Sequence, residues 1–156
     1  MPAELDRAVA RTQTHLLSLR NDSGYWEGEL SSSSLSTATA IVALKLVDAV
    51  KHADFLEKGG TWLREHQNVD GGWGDTTISK SNLSTTLLGW SALRLLGVSS
   101  PSAEKWIIAR TGSLEPTAIA KAVIARYGKD KTFSVPILML CSLCGTLGEK
   151  PWRHVI

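Results

Sequence analysis

From Ala3 to Leu19 the apolar residues Leu5, Val9, Leu16 and Leu19 recur near the spacing that lines one face of a helix. Pro2 stands where a helix starts, so the pattern predicts an amphipathic helix. Asn21-Asp22-Ser23-Gly24 follows as turn chemistry, and Tyr25-Trp26-Glu27-Gly28 leads into a loop over Ser31 to Ser34. The next segment differs in character. Capped by Ser34 or Ser36, it carries Ala38, Ala40, Ile41, Val42, Ala43, Leu44, Leu46 and Val47, with few polar positions beyond Lys45. A helix apolar on most sides is a buried one.

The same alternation then repeats. Asp54, with Glu57 at capping-box spacing, opens a third helix through Leu56, Trp62 and Leu63 to Gln67; Gly59-Gly60 weakens its middle. Ser79, Ser81 and Asn82 are cap candidates for a fourth helix, Leu83 to Leu96, almost wholly apolar and stopped by Gly97. Helices one and three thus read as amphipathic, helices two and four as buried. Pro101 starts a fifth helix through Trp106 to Arg110, and a sixth runs from Leu114 to Tyr127. The seventh follows Asp130-Lys131-Thr132 and carries Pro136 near its start, ahead of Ile137, Leu138, Leu140, Leu143 and Leu147.

Between helices three and four lies Gln67-Asn68-Val69-Asp70-Gly71-Gly72-Trp73-Gly74-Asp75. Gly71 and Gly72 let the backbone reverse, and Trp73 has room to fold back over the preceding helix end, where Gln67 offers a donor and an acceptor. A weaker copy, with Gly24 and Trp26, lies in Arg20 to Gly28. Trp26 maps to Trp73, Leu35-Ser36-Thr37 to Leu83-Ser84-Thr85, and Ala43-Leu44-Lys45-Leu46 to Ala92-Leu93-Arg94-Leu95, at offsets of 47, 48 and 49. A period in the high forties fits an array of helix pairs better than a sandwich or a Rossmann unit. Gln67, Gly71, Trp73, Gly24 and Trp26 are therefore read as a structural repeat motif. Seven helices taken in pairs leave the last without a mate, and the chain closes on Pro151 to Ile156 without a terminating cap. The expectation is an N-terminal part of a longer protein.

Composition adds limits. A chain of 156 residues fits one domain able to bury roughly 70% of its unfolded surface. Lys+Arg 17 against Asp+Glu 15, without a basic run, implies neither nucleic acid nor an anionic membrane as partner. Two cysteines are too few for a secreted disulfide scaffold, and Met1 to Asp6 lacks the features of a signal peptide. A cytoplasmic setting is the default. No apolar run approaches the roughly 20 residues that span a bilayer.

Candidate chemistry is sparse. Cys141-Ser142-Leu143-Cys144 is a Cys-x-x-Cys, but zinc needs four ligands and a polar second shell, and the apolar neighbours Ile137 to Leu140 favour two buried helical cysteines. Glu27, Glu29, Asp70 and Asp75 lie near the joints, where carboxylates cap backbone N–H groups or face water. His15, His52, His66 and His154 share no spacing. The serines from Ser31 to Ser34 lack a Gly-x-Ser-x-Gly setting, and Gly71-Gly72-Trp73-Gly74 follows no strand, so no phosphate loop is present. No catalytic residue, cofactor site or metal site is assigned.

Gln-x-x-x-Gly-x-Trp, here Gln67, Gly71 and Trp73, resembles the repeat motif of squalene-hopene cyclases and related triterpene cyclases. Asp22 to Leu30 is similar to the family's N-terminal segment, with Arg20 in a glutamine-like place, and Leu83-Ser84-Thr85-Thr86 to one of its helix starts. Phe133 to Leu138 and Trp152-Arg153-His154-Val155 resemble stretches of bacterial members, so the likeness covers nearly the whole chain. The resemblance implies an all-α fold, an α/α-barrel of outer and inner helices, incomplete here, within an enzyme of the isomerase class that cyclises a linear isoprenoid in an apolar cavity and makes hopanoid-type products. It also implies peripheral contact with the inner membrane and a homodimer. The family's initiating acid comes from an Asp-x-Asp-Asp motif. None occurs among Asp6, Asp22, Asp48, Asp54, Asp70, Asp75 and Asp130, so the catalytic domain is expected in a C-terminal part that this chain lacks, and the chain alone is expected to be inactive. Protein prenyltransferase β-subunits use a similar barrel but need an Asp, Cys and His zinc set not found here. Complement-type thioester domains need a Gly-Cys-Gly-Glu-Gln signature, also absent. A free-standing helical-repeat binding module is the non-enzyme alternative.

Overall fold

Seven α-helices and a short 3-10 turn make up the described residues, 2–28 and 30–155, of the computed structural model, with no strand among them. The helices are α1 (Pro2–Ser18), α2 (Ser34–Asp48), α3 (Ala53–Glu65), α4 (Leu83–Leu95), α5 (Pro101–Thr111), α6 (Pro116–Tyr127) and α7 (Lys131–Leu143), and the turn is Pro151–His154. Two compact units divide the chain, Met1–Ser31 and Ser32–Ile156.

Polar side chains set several helix starts by accepting from otherwise unpaired first-turn N–H groups. Ser33, not Ser34 or Ser36, caps α2 by accepting from the Ser36 N–H at 3.2 Å; Ser34 is instead buried inside the first turn. Asn82 caps α4 by accepting from the Thr85 N–H at 2.9 Å, and Asp130 caps α7 through the Thr132 N–H at 2.8 Å. The capping box expected from Asp54 and Glu57 does not form. The helix starts one residue earlier, with His52 at the cap position and no side-chain cap bond, and Asp54 is drawn to Lys58, one turn on, at 2.8 Å. The sixth helix starts at Pro116 rather than Leu114, because proline needs no N–H partner at the first position. The seventh ends at Leu143, and Leu147 is buried beyond it.

In the unit Ser32–Ile156 the helices form two layers. One holds α2, α4 and α7 side by side; behind it α3 packs on α2 and α4, α5 on α4, and α6 on α5 and α7. This layering is the one expected of an α/α-barrel cyclase domain. The helix α7, read from sequence as the one without a mate, packs against α6 as well as α4, so pairing runs α2 with α3, α4 with α5 and α6 with α7.

Position within the layers decides burial. Every residue of α4 from Ser84 to Leu93 is buried, because α4 has α2 and α7 beside it and α3 and α5 behind it. α2 has an equally apolar sequence but buries one face only, through Ser34, Ala38, Ile41 and Val42, while Leu46 and Val47 are exposed. This corrects the expectation that both helices are enclosed: composition marks a helix as able to be buried, and neighbours decide whether it is. Likewise the apolar positions of α1, Leu5, Val9 and Leu16, are exposed.

Gly59 and Gly60 do not interrupt α3. A Cβ on Gly59 would stand 3.0 Å from Ile41, and one on Gly60 2.9 Å from Leu96, so these glycines let α3 approach its neighbours closely. Ser91, in the middle of α4, is satisfied by Thr146 at 3.0 Å. Among the described residues no buried side-chain nitrogen or oxygen lacks a partner.

Candidate functional site

The joint between α3 and α4 is built from the end of one helix, a glycine reversal and the start of the next. Gly71, at φ +89°, turns the chain, and the Asn68 N–H donates to the Gly72 carbonyl at 2.9 Å while the Gly71 N–H donates to the Asn68 carbonyl at 2.8 Å. A φ in this region is strained for any residue with a Cβ, and a Cβ on Gly71 would also stand 2.6 Å from the Ser102 carbonyl oxygen. Gln67 closes the reversal: its Nε2 donates to the Gly71 carbonyl at 2.8 Å and to Ser100 Oγ at 3.2 Å, and its Oε1 accepts from Ser102 Oγ at 3.0 Å. The same amide therefore ties α3 to the start of α5.

Trp73 folds back as the sequence suggests. Its indole N–H donates to the Leu63 carbonyl at 2.8 Å, within the last turn of α3. Its ring lies on Gly89 of α4, where an added Cβ would meet it at 3.2 Å. Its backbone is held by Thr86, which accepts from the Trp73 N–H at 3.0 Å, and by the Asn82 N–H, which donates to the Trp73 carbonyl at 3.0 Å. The side chain is fully buried.

The first joint repeats this geometry at the same positions less 47. Trp26 donates to the Leu16 carbonyl at 2.6 Å. The Asn21 N–H donates to the Tyr25 carbonyl and the Gly24 N–H to the Asn21 carbonyl, both at 2.9 Å, with Gly24 at φ +88°. Arg20 Nε donates to the Gly24 carbonyl at 2.8 Å. The two joints differ in burial: Trp26 is 47% exposed and Trp73 is 0%.

Asp70 is the electrostatic centre of the second joint. Its carboxylate accepts from Ser81 at 2.6 Å, from the Trp106 indole at 2.9 Å and from the Gly72 N–H at 3.1 Å. Desolvation pushes its carboxyl upward, but these bonds and the nearby Arg110 outweigh it, so the group sits below the ordinary carboxylate range. Arg110 in turn lies over the Trp106 ring, 3.3 Å from its centre, a cation–π contact.

The other candidates are dispersed. Asp75 accepts from Asn82 and Thr85, Glu27 accepts from the Tyr25 hydroxyl at 3.2 Å, and Glu29 lies outside the described residues. His66 stacks on Trp62 with ring centres 4.1 Å apart; His15 lies in the last turn of α1, His52 precedes α3, and His154 lies in the 3-10 turn. Both cysteines are free thiols. Burial pushes Cys141 up to about 11 and Cys144 up to about 12, which suppresses the reactive thiolate. Among the described residues no three His, Cys, Asp or Glu side chains gather as a metal site would require.

Sequence reading missed the partners supplied by the next turn and the next helix: Ser81, Thr86, Gly89, Ser100, Ser102 and Trp106. A run of small polar residues beside a helix-starting proline, Ser99-Ser100-Pro101-Ser102, was the available signal for two of them. These bonds tie the end of α3 to the starts of α4 and α5.

The family model described as the squalene-hopene cyclase N-terminal domain matches residues 9–141. Among curated relatives, dammaradiene synthase of Dryopteris crassirhizoma is 31% identical over 142 residues, covering 88% of this chain and 21% of the relative. Squalene–hopene cyclase of Alicyclobacillus acidocaldarius is 30% identical over 151 residues, covering 97% and 21%. A probable squalene–hopene cyclase of Sinorhizobium fredii is 27% identical over 146 residues, covering 88% and 22%. The chain therefore spans about a fifth of the length of these relatives. No solved structure matches it with significance. No helix among the described residues is long and apolar enough to cross a membrane. The match over most of its length, on an all-helical layered fold, shows that the chain belongs to the squalene-hopene cyclase family and corresponds to its N-terminal domain.

Proposed function

We propose that this chain is the N-terminal part of an α/α-barrel enzyme that cyclises a linear triterpene by protonation, and that within it the two glycine joints act as braces rather than as chemistry. The carrying observation is the duplicated joint: the same indole-to-carbonyl bond, the same glycine reversal and the same side-chain tie from Arg20 or Gln67 recur 47 residues apart. A carbocation route needs a rigid, dry enclosure, and braces of this kind supply rigidity to helix pairs. The acid that starts the reaction is assigned to a part of the enzyme outside this chain, in keeping with the chain spanning about a fifth of the length of its relatives. Hopanoid-type isomerase chemistry, an isoprenoid substrate, peripheral contact with the inner membrane and a homodimer complete the reading by analogy with the family.

The apolar edges of the layer support a longer protein. Leu46, Val47 and Val50 at the α2 edge and Met139 and Leu143 on α7 are exposed, as the outer faces of a repeat array are until further pairs cover them. The experiment has two arms. The 156-residue chain is incubated with squalene and the extract examined for cyclised product, and the coding sequence beyond Ile156 is read. The reading expects no product and a downstream Asp-x-Asp-Asp. Turnover by the isolated chain, or a gene ending at Ile156 in a monomeric, cooperatively folding protein, overturns it, the second in favour of a free-standing helical-repeat binding module.

A further inference from the structure

A groove of about 420 Å³ runs along one face of α3 and is closed by the ends of α2 and α4, within the size range of small-molecule sites. It lies between the first two helix pairs rather than at an open edge of the layer. Its floor is apolar: Leu56 is buried, and Leu96 and Val98, just past the end of α4, are partly buried against the core. Gly60 lets Leu96 close the floor, since a Cβ there would stand 2.9 Å from the Leu96 side chain.

Two cations line the same groove. Lys45 is in the last turn of α2 and Arg64 in the last turn of α3. Side chains on a helix lean toward its start. Because α2 and α3 run antiparallel, joined by the turn 49–52 and with Gly59 set against Ile41, the two side chains lean toward each other along the groove. Arg64 shows this lean, its Nη2 lying 3.5 Å from Thr61 Oγ1 one turn back. Among the described residues neither cation has a carboxylate at ion-pair distance. The carboxylates nearest in sequence and space are engaged elsewhere. Asp48 accepts from the Val50 and Lys51 N–H groups at 3.1 and 2.9 Å, and Glu57, on the groove wall, acts with Asp54 on the charge of Lys58.

We propose that this groove binds a small organic anion, a carboxylate on a short apolar body, with the carboxylate between Lys45 and Arg64 and the body on Leu56, Leu96 and Val98. The guanidinium fork matches a carboxylate in geometry as well as charge, and the lysine ammonium adds a second charge-assisted donor. An ammonium ligand meets two like charges. A neutral hydroxyl keeps the contact with the floor but gains no ionic bond. The groove lies wholly within the unit Ser32–Ile156 and does not involve the glycine joint residues Gln67, Gly71 or Trp73, so its occupancy does not depend on the cyclisation reading.

Hexanoate, hexanol and hexylamine, each titrated into the 156-residue chain at low ionic strength and followed by amide chemical shifts, test this. Hexanoate is expected to saturate, with shifts centred on Leu56, Gly60 and Leu96, and to bind at least about tenfold more tightly than either analogue, a difference of about 1.4 kcal/mol. Added salt is expected to weaken hexanoate and leave hexanol unchanged. Lys45 is half-buried and Arg64 exposed, so both can be neutralised without entering the core. Lys45→Gln combined with Arg64→Gln is expected to weaken hexanoate at least about tenfold, the range for bonds to charged groups, with little effect on hexanol. Equal affinity for the three heads, an unchanged hexanoate affinity in the double variant, or shifts centred elsewhere overturns the proposal. An absence of saturation also overturns it, leaving the two cations to serve the helix ends alone. The wild-type shift map and head-group comparison decide the matter even if the double variant fails to fold.

Discussion

Arg20 stands to Gly24 as Gln67 stands to Gly71: each side chain donates to the glycine carbonyl four residues on, at 2.8 Å in both joints. The tie needs only an N–H at the right reach, which a guanidinium and a primary amide both provide. Surroundings set the difference between them. Gln67 also needs an acceptor for Ser102, and Arg has none.

Exchange at these two positions is therefore asymmetric. Arg20→Gln is expected to change stability by no more than about 0.5 kcal/mol, as at other exposed positions. Gln67→Arg places a charge in a half-buried site and loses the bond from Ser102, so a loss of about 1–3 kcal/mol is expected. Urea unfolding of the two variants checks this, and equal losses would show that the surroundings of Gln67 do not set the difference.

Asp70 gives the second joint a pH dependence. Its carboxyl is held below its ordinary value of 3.8 in the folded chain, so the unfolded chain takes up the proton first as pH falls. The stability Asp70 contributes is complete above about pH 5, well above the unfolded value, and is lost as pH falls through the folded value below 3.8. Asp70→Asn is expected to lower stability near neutrality and to flatten the acid limb relative to wild type. Thermal unfolding from pH 7 to pH 3 measures both; parallel limbs in the two proteins would contradict the assignment.

The cysteines are expected to be inert. Raising Cys141 from 9.0 to about 11 reduces its thiolate at neutral pH about a hundredfold, and Cys144 is raised further, first by desolvation and then by Cys141. A thiol-reactive disulfide reagent at pH 8 should modify the folded chain at least about tenfold more slowly than the urea-unfolded chain. Rapid reaction of either residue in the folded protein would restore a redox reading of Cys-x-x-Cys.

The elements themselves were legible because their signals are local. Pro101, Gly97 and the apolar periodicities mark helices wherever they fall, and the 47-residue offset of Trp26 and Trp73 is plain in the sequence. Environment was not legible. α2 and α4 have nearly the same composition, yet only α4 sits between neighbours on both sides. Which of several clustered serines caps a helix depends on backbone dihedrals, and Ser33 won over Ser34 because its extended backbone aims its hydroxyl at the Ser36 N–H. The wider network of the joint was hidden because Ser100, Ser102 and Trp106 come from the start of a helix more than thirty residues after Gln67 and from the residue before it.

The brace reading rests most directly on Trp73, whose side chain is fully buried on Gly89 and bonded to the Leu63 carbonyl. Equilibrium urea unfolding of Trp73→Ala beside Trp26→Ala is the decisive measurement. The account predicts a loss of about 3–5 kcal/mol for Trp73→Ala and, for the half-exposed Trp26, a clearly smaller one. A loss below about 0.5 kcal/mol for Trp73→Ala, as at an unconstrained surface site, would contradict the brace and return the joint to the candidate binding sites.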